Sequence, residues 1–98
     1  MKPVVSIRII IADDHPVVRD GLRMTIERSG PRLTVVGEAG DGLDLLRMAE
    51  STPADVYIVD ITMANMNGID ATRALLKQSP GAKVVMLTPE LAGVPSNA

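Results

Sequence analysis

At 98 residues the chain has room for one ordinary domain and not for two. Hydrophobic residues make up 46% of it and charged residues 22%, a balance that suits a packed globular domain and excludes a disordered segment. Ten basic residues against twelve acidic ones leave a formal charge of −2, which excludes a general electrostatic grip on nucleic acid or an anionic membrane. The absence of cysteine excludes a disulfide scaffold, a zinc-thiolate site and a Cys nucleophile.

One Tyr and no Phe or Trp mean that the core has to be aliphatic. Residues 6–12 (SIRIIIA) form a short, β-branched, almost continuously apolar run that stops at Asp13-Asp14, the texture of a strand covered on both faces. Pro16 then fits the first turn of a helix reaching Arg28, with Val18, Leu22, Thr25 and Ile26 expected on its buried side. Gly30-Pro31 ends it, and residues 33–38 (LTVVGE) read as a second strand. Gly40-Asp41-Gly42 is a turn, and Asp41 or Asp44 caps a helix running to about Ser51. After Pro53, residues 55–60 (DVYIVD) are a third strand with Tyr57 in the core, and residues 61–67 form an irregular loop. Gly68 opens a third helix to about Gln78, with Ile69, Thr72, Leu75 and Leu76 expected inward, and residues 83–88 (KVVMLT) are a fourth strand. Residues 1–88 therefore read as one unit and residues 89–98 (PELAGVPSNA) as an irregular tail. No apolar run approaches the roughly 20 residues of a membrane span, and no small-residue cleavage site follows the N-terminus, so the expectation is a soluble cytoplasmic domain.

Three βα units and a fourth strand, joined by short links, predict an α/β fold: a doubly wound parallel sheet with right-handed crossovers. Ligands bind such sheets outside the carboxyl ends of the strands. There the sequence puts Asp13-Asp14, Asp60 and Thr88. Carboxylates brought together in this way resist joint ionisation unless a cation offsets them. Mg²⁺ suits a few carboxylates, waters and a phosphate. A carboxylate at a strand tip is also a usable nucleophile for phosphoryl transfer. The plainer reading, helix capping and solvation by acidic loop residues, stands beside this one on spacing alone.

Asp13-Asp14-His15-Pro16 after the first strand, the run from Asp60 to Gly68 (DITMANMNG) after the third, and Thr88 closing the fourth resemble a bacterial two-component response-regulator receiver domain. The DDHP variant followed by VVRDGL is most similar to the NarL/LuxR-type subfamily, whose receivers usually precede a helix-turn-helix DNA-binding domain. The resemblance covers about residues 7–88, most of the chain. It implies a flavodoxin-like sheet of order 2-1-3-4-5, incomplete here on its C-terminal side. It also implies that Asp60 is the phosphoacceptor, that Asp13, Asp14 and Asp60 hold Mg²⁺ with the Thr62 backbone carbonyl, and that Thr88 is the switch hydroxyl. Asp14 is the more direct metal ligand of the acidic pair, with Asp13 acting through water. The implied partner is a sensor histidine kinase, with no nucleic acid or membrane bound by this chain itself. The protein is then not an enzyme beyond Mg²⁺-dependent phosphorylation and dephosphorylation of its own Asp60.

The chain departs from the family in two places. Ala64 stands where proline is usual, which predicts a looser loop. No lysine follows Lys83, and Lys83 opens the fourth strand at the wrong end for the pocket. A chain ending after the fourth strand predicts an apolar edge that pairs with another copy, as a homodimer or by edge-strand self-association. The alternative function is then a non-switching receiver that acts only as a self-association or partner-binding module. His15 reads as pocket rim, and the scattered Arg residues as solvated helix faces.

Overall fold

In the computed structural model, which describes residues 5–88, the chain runs β1 (Ile7–Ala12), α1 (Pro16–Arg28), β2 (Leu33–Ala39), α2 (Gly42–Ser51), β3 (Val56–Asp60), α3 (Gly68–Gln78) and β4 (Lys83–Leu87). The strands form one sheet in the order β2-β1-β3-β4, each neighbouring pair parallel. This is the doubly wound arrangement that the alternating texture predicts. Its order matches the first four strands of 2-1-3-4-5. The tail expected over residues 89–98 lies outside the described residues.

β1 is flanked on both sides by other strands, and its Ile10, Ile11 and Ala12 are wholly buried, which explains its continuous apolar run. The in-register pairs Ile10–Tyr57 and Ala12–Val59 put four core side chains on one sheet face, where they meet Leu45 of α2 and Ala71 and Leu75 of α3. Leu45 and Leu75 are fully buried, each worth about 1.5–3 kcal/mol of transfer free energy. By strand alternation Ile9 and Ile11 belong to the opposite face, the one left for α1, which packs on β1 and β2.

The expected helix faces need correction. On α1, Leu22 and Ile26 are half-buried, but Val18 and Thr25 are exposed, and no residue of the helix is fully buried. Ion pairs compete with the apolar pattern. Arg19 and Arg23 turn toward β2, where their Nε atoms meet the two carboxylate oxygens of Glu38 at 3.3 and 3.0 Å. These two arginines therefore do not sit on a solvated face as expected. On α3, Ile69 and Leu76 are exposed, Thr72 is half-buried, and the buried positions are Gly68, Ala71 and Leu75. Gly68 and Ala71, lacking bulk, let α3 approach the sheet, and Leu75 fills the core beside them as expected. Asp41 caps α2 by accepting the Asp44 N–H at 2.8 Å, as one of the two expected candidates, and Asn67 caps α3 by accepting the Asp70 N–H at 2.9 Å. Among the described residues, no helix is long and apolar enough to cross a membrane.

Candidate metal centre

Sheet register brings the acidic residues together. Ala12 pairs with Val59, so Asp13 and Asp60 are the next residues on two adjacent strands at the carboxyl edge. Asp60 pairs with Leu87, and half-buried Thr88 follows Leu87 at the same edge. Asp13 and Asp60 are both buried, with side chains only 5% and 6% exposed. Two buried carboxylates this close need compensation from hydrogen bonds or positive charge.

Part of that compensation is internal. Thr62 donates its backbone N–H and its hydroxyl to Asp60 Oδ1, at 3.1 and 3.3 Å. The His15 backbone N–H donates to Asp13 Oδ1 at 2.8 Å, and the His15 Nδ1 lies 2.8 Å from the same oxygen. An ionised carboxylate only accepts, so Nδ1 carries the hydrogen in this contact. The same Nδ1 is 2.9 Å from Asp14 Oδ1 and 4.0 Å from Asp60 Oδ2. One N–H serves one well-aligned acceptor, here Asp13. Asp14 Oδ1 is thus a buried oxygen without a hydrogen bond, 2.9 Å from His15 Nδ1. The hydrogen bond that His15 gives to Asp13 and the fields of Asp14 and Asp13 raise the His15 pKa above its ordinary 6.5.

The surrounding loops are fixed by short contacts. The Ala64 N–H donates to Asp14 Oδ2 at 3.3 Å, a bond that a proline at this position cannot make, so the substitution adds a tie where a looser loop was expected. Asn65 takes the left-handed conformation at φ 68° and donates its side-chain amide to Asp41 Oδ2 at 2.8 Å. That bond and the Asp44 N–H hold the Asp41 carboxyl below its ordinary pKa, the backbone donor contributing more. Gly68 follows the loop with its N–H on the Ile61 carbonyl at 2.7 Å, and a β-carbon there would lie 2.7 Å from Ile61 Cα.

The structure therefore brings Asp13, Asp14 and Asp60 together, with Thr62 on Asp60 and Thr88 at the same edge. It also brings in His15, which the sequence placed only at the rim. Asp13, Asp14, His15 and Asp60 each offer one ligand atom, and these atoms lie within 4.8 Å of one another, so the cluster can hold a metal ion. The unsatisfied Asp14 Oδ1 and the hard-oxygen donor set fit a divalent cation. Lys83 sits at the opposite edge, lining with Tyr57 and Asp55 a cavity of about 510 Å³ that Asp13, Asp14 and Asp60 do not line.

Comparison with known proteins agrees with this geometry. Residues 9–93 match the family model described as the response regulator receiver domain. The chain is 42% identical over 83 residues to the uncharacterized transcriptional regulatory protein YxjL of Bacillus subtilis (strain 168), a match covering 85% of this chain and 38% of that protein. It thus spans well under half the length of that relative. Among solved structures, a LuxR-family two-component response regulator from Aurantimonas sp. SI85-9A1 superposes with a TM-score of 0.80 at 36% identity, covering 85% of this chain and 59% of the other. The signal receiver domain of the response regulator NarL from Mycobacterium tuberculosis gives 0.79 at 30% identity, over 86% and 67%. With its sheet order, its acidic edge and these matches, the chain belongs to the response regulator receiver domain family, of the NarL/LuxR type.

Proposed function

We propose that this chain is the phosphoacceptor receiver of a two-component response regulator, in which Asp60 takes a phosphoryl group from a sensor histidine kinase. The observation that carries the reading is that the β1–β3 register, ending at Ala12–Val59, sets buried Asp13 and Asp60 next along the same edge, beside the unsatisfied Asp14 Oδ1. In the proposed step an Asp60 carboxylate oxygen attacks phosphorus in line, an acyl phosphate forms, and the phosphorus–nitrogen bond of the donor phosphohistidine breaks with its electron pair going to the imidazole. Asp13, Asp14, Asp60 and the Thr62 carbonyl would hold Mg²⁺, which supplies charge neutralisation at the phosphoryl oxygens. Thr62 positions Asp60 through its two donors to Oδ1. The Thr88 hydroxyl is the switch group, turning toward the phosphoryl oxygens and changing its loop with it. Residues 1–88 act as the receiver unit of a cytoplasmic protein. The regulated output is transcription, through a DNA-binding segment in the part of the relatives that this chain does not span. No turnover of a separate substrate is assigned.

A second reading has its own observation. β4 is the terminal strand of the described sheet, and its Val85 is 52% exposed. On this reading the chain pairs with a second copy along β4, and the receiver acts as an association module without switching. A titration with beryllofluoride and Mg²⁺ separates the two. The phosphoacceptor reading expects a saturable spectral change that Asp60→Asn removes, whereas the association reading expects no such change in either protein.

A further inference from the structure

The cavity of about 510 Å³ lies where three strands begin, since Ile7, Val56 and Lys83 open β1, β3 and β4 and all line it. Ala49 near the end of α2 and Ala82 just before β4 add apolar wall with little bulk, which leaves the space open. Main-chain bonds fix its rim. The Arg8 N–H donates to Asp55 Oδ2 and the Asp55 N–H to the Arg8 carbonyl, both at 2.8 Å, and Arg8 Nε donates to the Pro53 carbonyl at 2.7 Å. On the other side the Ser79 N–H closes α3 on the Leu75 carbonyl at 2.7 Å, and the Ala82 N–H returns to the Ser79 carbonyl at 2.9 Å. The cavity is thus preformed, and its volume falls within the roughly 300–1,000 Å³ of small-molecule sites.

Its polar groups are few. Tyr57 is 3% exposed and lines the cavity, and among the described residues nothing hydrogen-bonds its hydroxyl. A buried hydroxyl in that state takes its partner from whatever fills the space. Burial, and then the charge of Asp55, push the phenol pKa up, so the hydroxyl stays protonated and can donate. Lys83 lines the same space and makes no ion pair among the described residues. Around the rim Arg8 and Lys83 outweigh Asp55 by one positive charge, and Asp55 already spends Oδ2 on the Arg8 N–H.

We propose that this cavity binds a small amphipathic monocarboxylate, its apolar body against Ile7, Ala49, Val56 and Ala82 and its carboxylate between the Tyr57 hydroxyl and the Lys83 ammonium. One neutral donor and one ammonium match a single two-oxygen acceptor. A cationic ligand would meet Arg8 and Lys83, and a neutral one would leave the ammonium unused. The site goes beyond the receiver reading and shares no residue with the acidic pocket at the other end of these strands.

The test is a ¹⁵N–¹H correlation titration with cyclohexanecarboxylate, with cyclohexylmethanol as the uncharged match. Wild type is expected to show saturable shifts centred on the Ala49, Tyr57 and Ala82 amides, with the alcohol binding at least about tenfold more weakly. Tyr57→Phe keeps the ring and is expected to weaken the acid at least about tenfold. Lys83→Gln, at an exposed position, is expected to weaken it about two- to fivefold, the range of a solvent-screened ion pair. The spectra themselves report folding. If Tyr57→Phe loses its dispersion, the comparison of acid with alcohol and the Lys83→Gln titration decide the question. No saturable shift in wild type, shifts centred elsewhere, or equal binding of acid and alcohol overturns the site. Unchanged affinity in both folded variants overturns the assigned carboxylate partners.

Discussion

The Arg19 guanidinium donates from Nη1 to the backbone carbonyl of Asp13 at 2.6 Å, while its Nε reaches Glu38 Oε1 at 3.3 Å. One side chain thus ties the acidic loop after β1 to the end of β2. Hydrogen bonds from a charged donor contribute about 1.5–3 kcal/mol when buried. The Arg19 side chain is 21% exposed, so solvent screening reduces this. Arg19→Ala is expected to lower unfolding free energy by about 1–2 kcal/mol in urea titration. Arg19→Lys restores only part of it, because a lysine has no fork to span both acceptors. Equal stability of all three proteins would remove Arg19 from this role.

Gly68 packs against the main chain of Asp60 and Ile61 so closely that a β-carbon would meet the Asp60 carbonyl oxygen. The neighbour is backbone, which has little room to give. Gly68→Ala is expected to cost about 1–3 kcal/mol and to displace Asp60, lowering its rate of phosphoryl labelling. Thermal unfolding and labelling by acetyl phosphate check the two effects together.

Asp41 supplies the pH dependence. Its folded pKa is lowered from 3.8 by the Asp44 N–H and then by Asn65. A lowered carboxyl contributes stability that is present above its unfolded pKa and lost as pH falls through the folded one. Asp41→Asn keeps a capping oxygen but removes the titration. Its stability is expected to fall less steeply than that of wild type between about pH 5 and pH 3. Parallel curves from denaturant titrations across that range would contradict the assignment.

Self-association along β4 predicts a concentration-dependent mass in light scattering that Val85→Lys reduces, since a charge at an exposed edge position opposes pairing. A monomer at all concentrations in wild type would sink this reading.

The strands, their parallel pairing and the acidic carboxyl edge were legible in the sequence because period and punctuation report them directly. Asp13, Asp60 and Thr88 could be placed at one edge from topology alone, and register then put Asp13 beside Asp60. Helix orientation was less legible. Val18 and Ile69 follow the apolar spacing but lie exposed, because the Glu38 ion pairs orient α1 and the small Gly68 and Ala71 orient α3. Neither cause has a periodic signature. His15 read as rim because a lone histidine carries little signal in sequence. Its ring reaches the carboxylates only through the sharp turn between Asp13 and Pro16, where its own N–H bonds back to Asp13. The Ala64 contact was hidden for a related reason, since a residue replacing proline also restores an N–H, which here finds Asp14.

The central claim is that Asp60 accepts a phosphoryl group in this acidic pocket. Intact-mass measurement of the protein after incubation with acetyl phosphate and Mg²⁺ tests it most directly. The account predicts one added phosphoryl group that is lost with hydroxylamine, absent without Mg²⁺ and absent in Asp60→Asn. An unmodified wild-type protein, or the same added mass in Asp60→Asn, would contradict it.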